Sequence, residues 1–487
     1  MRFKKIILAN LISHEAPTFK KRAVLRAGLG YIAQVLWDNN IEYAVCDLGL
    51  GYSSVSKFRK KIKEFKPDLV GCSLFTYRYR DCYEIIRKIK QEFKNIQIVA
   101  GGPHITTYKE QSLKECPEID FGITFEGEKS IIQLCQGKEY SQISGLIYHQ
   151  DGKIFYTGEP SFIEDLDALS FPQYHNFELQ HYPLQNSVID ERIIPIVASR
   201  GCPFKCIYCP VKTVIGRKFR FRSVKNVLNE ITYWYELGYR RFSFVDDNFT
   251  LIRERVLQIC EEIRKNNLRN LILSLPNGIR ADKTDYELLK IMYSVGFKYI
   301  GIGVEGGNNR ILKILKKQET IETIKKTIKN ATDIGYYVDL YFLVGSPGET
   351  EKDVYDSISV ASQCPVDNIF FFNLIPYPGT ELFDWVKKNN YFLYSPEYYL
   401  NKIHSNMDIP VFQTPEFSAN GRRKMIKFAR KSAKKLKVKI YIEKLNRIKI
   451  KGIFAKIIAN VYASNSIQRL FNDLKTLQKL KRKIIGK

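Results

Sequence analysis

The chain has 487 residues, of which 45% are apolar and 26% charged, values typical of a soluble globular protein with two or three domains. Basic residues exceed acidic ones by 26, and 20 of these surplus charges fall in residues 421–487, where 22 basic residues stand against two acidic ones. The basicity therefore belongs to a C-terminal tail. Ten cysteines in so long a chain exclude a disulfide scaffold, and no run reaches the roughly 18 uninterrupted apolar residues of a membrane span.

The N-terminal sequence KKIILAN predicts a first β-strand. A secretory signal is the alternative, but the apolar run has only seven residues, contains Asn10 and leads into charge without a small-residue cleavage site. Seven of the ten cysteines are scattered singly, a pattern typical of small core residues in a reducing cytosol. We therefore expect a cytoplasmic protein.

Residues 1–138 alternate five short apolar runs with helical patterns, which predicts an α/β domain with a doubly wound, Rossmann-like parallel sheet. Ligands of such sheets bind outside the carboxyl ends of the strands. The candidate ligand-binding residues at those ends are Ser13, His14, Ser73, Gly101, Gly102, Glu126 and Gly127. The glycines would let the backbone approach a bulky ligand, although each also fits an ordinary tight turn.

Residues 139–190 are aromatic and proline-containing, and we expect them to form a packed connector. Residues 191–390 then contain six consecutive strand–helix units, which predict a partial (β/α)6 barrel of the TIM type. The C-terminal ends of the strands carry the chemistry in such barrels. Residues 391–487 predict a basic, helical C-terminal extension.

Three cysteines, Cys202, Cys206 and Cys209, follow the first barrel strand within the sequence ASRGCPFKCIYCP. Thiolates are the usual ligands of iron–sulfur clusters. Three of them on a four-iron cube leave one iron open for a substrate or cofactor, just as an open position marks a catalytic zinc site. The triplet therefore predicts a [4Fe–4S] cluster with one exchangeable iron. Zinc held by three cysteines and a distant fourth ligand is the alternative.

The spacing Cys-x3-Cys-x2-Cys, the strand before it and the six units after it resemble the radical S-adenosylmethionine (SAM) superfamily over about residues 193–390. The resemblance implies that the open iron chelates the amino and carboxylate groups of SAM. One electron then cleaves SAM reductively to a 5′-deoxyadenosyl radical, which abstracts hydrogen from a substrate. The protein supplies positioning, electrostatics and exclusion of water for this chemistry.

The same resemblance assigns SAM contacts to residues at successive strand ends. These residues are Tyr208, Asp247, Arg280, Glu305, Gly345, Glu349 and Tyr377. Asp246 and Asp247 would meet the methionyl amine or a substrate, Arg280 a carboxylate, and Glu305 the ribose hydroxyls. The loop Gly345–Glu349 and the backbone at Tyr377 would lie near the adenine. Asp247 as a helix cap, Arg280 in a surface ion pair and Gly345 as a turn are the structural alternatives.

The N-terminal domain resembles that of the cobalamin-binding members of the superfamily, through VAGGPH and FEGEKS at its strand ends. The sequence Asp-x-His-x-x-Gly, which supplies a histidine ligand to cobalt in many cobalamin proteins, is absent, and His14 lacks the flanking Asp and Gly. The resemblance implies either cobalamin held without that lower ligand or another group. Methyl transfer to an unactivated carbon is the favoured reaction, with ring formation or rearrangement as alternatives.

Residues Arg422–Lys439 and the later stretch IFAKIIANVYASNSIQRLF predict basic amphipathic helices. Three interpretations of these helices remain open. They bind an anionic membrane surface, they bind a nucleic acid, or they have no partner and form a solvated cap on the barrel. An RNA-modifying enzyme is therefore the second hypothesis, and a non-catalytic binding protein the third. Methylthio transfer would need a second cluster, for which Cys46, Cys72 and Cys82 are poorly placed.

We expect a small or lipid-like substrate and an electron donor such as flavodoxin or ferredoxin. The expected location is the cytoplasm, with contact to the membrane periphery through the tail as a further candidate property.

Overall fold

The computed structural model describes residues 1–12, 24–50, 53–182, 192–447 and 449–463. Two of the predicted ligand-binding residues, Ser13 and His14, lie outside the described residues, as does the last part of the tail, 464–487.

The N-terminal unit is built on one mixed sheet flanked by helices. Its elements are β1 (Lys5–Asn10), α1 (Ala27–Asp38), β2 (Glu42–Asp47), α2 (Val55–Phe65), β3 (Leu69–Ser73), α3 (Tyr79–Glu92), β4 (Gln97–Gly101), α4 (Pro103–Tyr108), α5 (Glu110–Glu115), β5 (Phe121–Ile123), α6 (Glu128–Gln136), β6 (Leu146–Gln150) and β7 (Lys153–Tyr156).

The first five strands are parallel and lie in the order β2-β1-β3-β4-β5. The chain therefore changes direction across the sheet between β1 and β3, which is where doubly wound folds bind ligands. Strands β1 to β3 are buried almost throughout because helices cover both faces of the sheet. The predicted doubly wound domain is confirmed.

An antiparallel hairpin extends this sheet beyond β5, within the segment predicted to be a connector. Its two strands, β6 and β7, are joined at Asp151 (φ 50°) and Gly152 (φ 71°). Positive φ at both central residues defines the turn that suits the twist of a two-residue hairpin, and Asp-Gly is a favoured pair for it. The dipeptide was thus a signal of this hairpin that our reading of the sequence missed.

The second unit begins at the first barrel strand. Its elements are β8 (Ile193–Ile196), β9 (Ser199–Arg200), α7 (Val211–Val214), β10 (Arg220–Phe221), α8 (Val224–Glu236), β11 (Arg241–Phe244), α9 (Arg253–Lys265), β12 (Ile272–Ile279), α10 (Tyr286–Ser294), β13 (Phe297–Glu305), α11 (Asn309–Ile314), α12 (Ile321–Ile334), β14 (Tyr337–Val344), α13 (Glu351–Ser362), β15 (Asn368–Asn373), α14 (Glu381–Lys388), α15 (Pro396–Lys402), α16 (Ala419–Arg447) and α17 (Gly452–Ala463).

The six long strands of this unit form one parallel sheet in the order β15-β14-β13-β12-β11-β8. In the part of the chain that the structure describes, β8 and β15 do not pair, so the barrel is partial. The six predicted strands form the sheet of this partial barrel, as expected. All carboxyl ends lie at one edge, which brings the residues that follow them together.

The segment between the two sheets is packed against both. The Tyr174 ring lies against Gly30 of α1, where an added Cβ would come within 2.6 Å of the ring, and 5.9 Å from the Trp234 ring of α8. Buried apolar residues of the two units accordingly belong to one continuous hydrophobic cluster. The two units therefore share a core.

Helix α16 packs on the barrel. Its residues Met425, Ile426 and Ala429 are fully buried in the common core, and Arg430 donates to the backbone oxygen of Phe371 in β15. The apolar face of the first basic helix is thus unavailable to an external partner. Among the helices of the described chain, none combines the length and hydrophobicity needed to cross a membrane.

Candidate active site

The three cysteines of the triplet lie in the loop after β9 and are partly exposed, whereas the other seven cysteines are buried. Gly201 enters this loop with φ 86°, and an added Cβ would come within 2.3 Å of the Lys218 backbone oxygen, so only glycine fits. Asp246, at the end of β11, accepts hydrogen bonds from the Ala198 backbone N–H (2.8 Å) and the Ser199 hydroxyl. The start of the loop is therefore fixed from a neighbouring strand end.

The donor set fits an iron–sulfur cube better than a single metal ion. Burial raises the pKa of all three thiols, that of Cys209 to about 12. The neighbouring cysteines raise the pKa of Cys206 and Cys209 further. A structural zinc site uses four protein ligands, whereas three thiolates on one short loop match the ligand set of a cube bound at three of its corners.

The ring of Phe204, between the first two cysteines, holds the loop against the end of β12. The Arg280 guanidinium carbon lies 3.5 Å from the ring centroid. Arg280 donates to the backbone oxygens of Lys317 (2.9 Å) and Gln318 (3.2 Å), and to Asp282 (2.9 Å). Arg280 is thus buried beside the cysteine loop, and each of its three guanidinium nitrogens already donates a hydrogen bond within the protein. Its contact with a carboxylate of SAM stays a prediction.

Glu305 ends β13 in the left-handed region (φ 64°), an unusual conformation for a residue with a side chain. Its carboxylate is buried and lies 3.2 Å from the Lys317 ammonium, and the Tyr208 side chain also reaches it. An added Cβ on Gly303 would come within 2.4 Å of the Glu305 Oε1 atom, so the carboxylate folds back over that glycine. Glu305 therefore stands directly beside the cysteine loop.

Lys317 and Glu319 belong to the site although the sequence did not single them out. Lys317 is buried between Glu305 and Glu319, whose Oε2 atom lies 3.4 Å from its ammonium. Burial lowers the pKa of Lys317, but the two carboxylates and Cys206 more than offset this, so its pKa is raised and it stays protonated. Charged residues are exposed by default, and only the folded chain shows that these are not.

Asp247 follows Asp246 and accepts the Gly201 backbone N–H, and burial raises its pKa to about 6. Its negative charge also raises the pKa of Cys202 and of Cys209, so it lies near the cysteine loop. Its proposed contact with the methionyl amine stays a prediction.

The loop Gly345–Glu349 after β14 is a closed turn. Glu349 accepts the backbone N–H groups of Gly345 and Ser346, and burial raises its pKa to about 7. The carbonyl of Gly345 (φ 110°) accepts a hydrogen bond of 2.9 Å from Arg422 of α16. The described geometry therefore gives Glu349 the task of shaping the loop.

Tyr377, after β15, connects this edge to the N-terminal unit. Its backbone oxygen accepts hydrogen bonds from the Thr380 hydroxyl (2.6 Å) and N–H (3.2 Å), and its pKa is raised by burial and then by nearby Tyr77. Tyr77 follows β3 of the first sheet and stacks edge-on to His404, with ring centroids 5.0 Å apart. The carboxyl edges of the two sheets therefore face each other.

The described candidate residues of the first sheet lie at this facing edge. The carbonyls of Ser73 and Gly101 accept hydrogen bonds from Leu11 (3.4 Å) and Leu74 (2.9 Å). Gly102 (φ 95°) has no room for a Cβ, which would lie 2.9 Å from the Leu74 oxygen. Gly102 is therefore required by the packing of the chain itself, which is the tight-turn alternative, and the approach of a ligand to this backbone stays a prediction.

Glu126 and Gly127 follow β5 and directly precede α6. The Glu126 carboxylate binds Arg200 (3.0 Å) and Arg220 (2.8 Å), and the neighbouring Glu128 binds Arg200 (2.7 Å). Arg200 stands two residues before Cys202. The loop predicted to contact cobalamin is thus joined by ion pairs to the strand that enters the cysteine loop. The Glu126 carboxylate itself is already paired with Arg200 and Arg220.

His104, two residues after Gly102, does not offer a ligand to cobalt. It is fully buried, its Nε2 atom lies 2.7 Å from the Tyr83 hydroxyl, and burial lowers its pKa to about 3. This agrees with the absence of an Asp-x-His-x-x-Gly sequence. The residues fit a corrinoid bound against backbone without a histidine from this loop.

Two protein-family models match the chain. The Radical SAM superfamily model covers residues 196–361, and the B12 binding domain model covers residues 24–134. The chain therefore belongs to the radical SAM superfamily, as a member with a B12-binding domain ahead of its radical SAM domain.

Relatives and solved structures agree with this assignment. The chain is 29% identical over 408 residues to an uncharacterized methyltransferase of Pyrococcus horikoshii, covering 82% of this chain and 87% of the relative. It is also 29% identical over 344 residues to the anaerobic magnesium-protoporphyrin IX monomethyl ester cyclase of Rubrivivax gelatinosus, covering 68% and 60%. The radical SAM methyltransferase TsrM of Kitasatospora setae, solved with cobalamin and a [4Fe–4S] cluster, matches with TM-score 0.69 at 16% identity over 96% and 98% of the two chains. At that identity the likeness shows the shared fold.

The protein is thus a cobalamin-dependent radical SAM enzyme whose cofactors are a [4Fe–4S] cluster, SAM and cobalamin. The predicted family, fold class and cofactors are confirmed. The individual SAM and cobalamin contacts remain predictions.

Proposed function

We propose that the enzyme transfers a methyl group from SAM to a carbon atom of a small-molecule substrate bound between the two sheets. This proposal rests on one observation: the carboxyl edges of the two sheets face each other. Ion pairs of Arg200 with Glu126 and Glu128 join these edges just before Cys202. When bound, the cluster and SAM supply a radical that removes hydrogen, and cobalamin supplies a methyl group. The relatives named above include a methyltransferase and a ring-forming cyclase, so ring formation is the second candidate.

The protein's own contribution is to hold these groups in one enclosed place. Cys202, Cys206 and Cys209 would bind three irons, while Asp247 and Glu305 present carboxylates beside them for the amine and hydroxyl groups of SAM. Ser73, Gly101 and Gly102 would carry the corrinoid on the facing edge. This arrangement fixes both reacting partners before reaction and excludes water between them.

Aromatic side chains inside the barrel support a substrate with an apolar part. On β14 the residues that face the helices, such as Leu340 and Phe342, are fully buried, whereas the alternate residue Tyr341 is partly exposed. Phe370 and Phe372 of β15 are partly exposed too and lie with their ring centroids 5.8 Å and 6.1 Å from that of Tyr341. The barrel is therefore lined by rings instead of being filled by them, which suits a small apolar or lipid-like molecule.

Polar groups at the base of the barrel would orient such a substrate. Asp339 accepts hydrogen bonds from the Tyr299 hydroxyl (2.8 Å) and the Asn368 amide (2.7 Å), and burial raises its pKa to about 6.

We infer that the reducing electron comes from a small protein such as flavodoxin or ferredoxin.

Methylthio transfer is not supported, because the three cysteines considered for a second cluster are buried core residues. Burial raises the pKa of Cys46 to about 11 and that of Cys82 to about 12. Cys72, in β3 of the first sheet, is buried as well. The RNA-modifying alternative was based on the basic charge of the tail, and basic side chains of α16 such as Arg423, Lys424 and Lys427 are exposed. That alternative stays a prediction.

Anaerobic reconstitution with iron, sulfide and hydroxocobalamin, followed by dithionite and SAM, tests the proposed function. We expect retained corrinoid and the release of both 5′-deoxyadenosine and S-adenosylhomocysteine, because methyl transfer uses SAM in both ways. Cys206→Ala should abolish 5′-deoxyadenosine, and Cys260→Ala, in the buried face of α9, serves as the matched control. 5′-Deoxyadenosine without S-adenosylhomocysteine would overturn methyl transfer in favour of ring formation.

A further inference from the structure

Helix α17 turns its large apolar residues outward and its small ones inward. Ala455 and Ala459 are fully buried against Tyr441 and Leu445 of α16. Ile453, Phe454 and Ile457 are instead 70%, 70% and 55% exposed. A helix of a soluble domain ordinarily has the opposite arrangement, because burial of large apolar side chains stabilises the fold most. The exposed residues therefore call for a partner.

The three exposed residues form one face, which we call the α17 face. At 100° per residue, positions 453, 454 and 457 fall within about a third of a turn of one another. The exposed lysines Lys449, Lys451 and Lys456 stand beside them. The sequence contains no acidic residue between Glu443 and Asp473. The α17 face is thus apolar with a purely cationic border.

We propose that the α17 face docks on the surface of a membrane that contains anionic lipid. Apolar side chains of an interfacial helix sink into the boundary between headgroups and acyl chains, and lysines around them attract anionic headgroups. A second copy of the chain fits poorly, because two cationic borders would repel each other. Residues 464–487 fit poorly for the same reason, with seven basic residues and one acidic residue. The proposal is independent of the proposed reaction.

Sedimentation of the full-length protein with lipid vesicles tests this docking. We expect binding to vesicles of phosphatidylcholine and phosphatidylglycerol in equal parts, weaker binding at high salt, and little binding to phosphatidylcholine alone. The triple variant Ile453→Ser/Phe454→Ser/Ile457→Ser should bind at least tenfold more weakly. The double variant Leu237→Ser/Tyr398→Ser, which removes exposed apolar side chains elsewhere, should bind like the unchanged protein.

A second measurement reports insertion directly and requires no loss of function. Phe454→Trp adds a fluorophore on the α17 face to the three tryptophans that the chain already has. The emission gained over the unchanged protein should shift to the blue with anionic vesicles and be quenched by brominated lipid. The circular dichroism of the triple variant should match that of the unchanged protein, because the three residues support no core. Equal vesicle binding by the triple and control variants would overturn the proposal. So would a change of oligomeric state, or loss of RNA binding, that is confined to the triple variant.

Discussion

Lys317 is the clearest case of a single residue whose role depends on its burial. Its ammonium is held between Glu305 and Glu319 and acts electrostatically on Cys206, in the loop that carries the cluster. A neighbouring buried cation stabilises the additional negative charge that a cluster gains on reduction.

Replacing Lys317 should therefore make the cluster harder to reduce. We expect Lys317→Met to shift the midpoint potential several tens of millivolts to more negative values, because a positive charge near the cluster loop is removed. The measurement is a redox titration followed by electron paramagnetic resonance. Lys316→Met is the matched control, because Lys316 is exposed and pairs with Glu381 on the surface. Equal potentials in the two variants would contradict this role of Lys317.

At the scale of elements, α16 helps to set the shape of the Gly345–Glu349 loop that follows β14. Arg422 is buried and donates to the backbone oxygens of Gly345 (2.9 Å) and Phe417 (3.0 Å), and to the Thr414 hydroxyl (3.2 Å). Burial lowers its pKa to about 10, which still leaves it charged at neutral pH. One basic residue of the tail thus holds the turn that Glu349 closes from the other side.

Removing this guanidinium should loosen the Gly345–Glu349 loop. Arg422→Leu leaves the buried carbonyls of Gly345 and Phe417 without their donor and removes the positive charge near the Glu349 carboxylate. We expect a loss of about 3 kcal/mol or more of unfolding free energy. Thermal melting of the apoprotein should show a lower melting temperature. Calorimetric titration with SAM should show weaker SAM binding.

The adjacent Arg423 provides the control for this experiment because it is exposed. Arg423→Leu removes the same charge and should leave melting and SAM binding within the range of ordinary surface substitutions, about 0.5 kcal/mol. If both arginine variants behaved alike, α16 would be a passive cover.

At the scale of the whole molecule, the two units are joined by ions as well as by a common core. The side chains of Glu126, Glu128, Arg200 and Arg220 are all nearly buried, and Arg200 also lies over the Tyr31 ring at 4.8 Å. Desolvated pairs of this kind are costly to break on one side, because the remaining charge stays buried. The network therefore couples the edge of the B12-binding domain to the entry of the cysteine loop.

Breaking the network should weaken both sites together. We expect Glu126→Gln to lower stability by about 3 kcal/mol and to reduce the retained iron and the retained corrinoid in parallel. Thermal melting and metal and corrinoid analysis after reconstitution measure this. Glu164→Gln, which breaks the exposed pair with Lys218, is the control and should change stability by less than about 1 kcal/mol. Loss of corrinoid with full retention of the cluster would show that the two sites are independent.

Local pattern was enough to predict the architecture and the position of the cluster. The alternation of apolar runs with helical patterns predicted both parallel sheets, because strand and helix periods are properties of neighbouring residues. Parallel strands in turn place their carboxyl ends at one edge, so Cys202, Asp247, Arg280 and Glu305 could be grouped without knowing any contact. The Asp151-Gly152 turn was local information too and could have been read.

Burial, by contrast, was decided by residues far apart in the chain. Arg422 and Gly345 are 77 positions apart, and Arg200 and Glu126 are 74, so no periodicity indicates that they pair. The apolar positions of α16 and α17 look alike in the sequence, yet the barrel buries those of α16, while α17 packs its alanines and exposes its large side chains. The sequence by itself determined the elements and the chemistry of the cysteine loop. Only tertiary packing decided which charges are buried and which apolar face is left for a partner, because desolvation depends on everything that surrounds a residue.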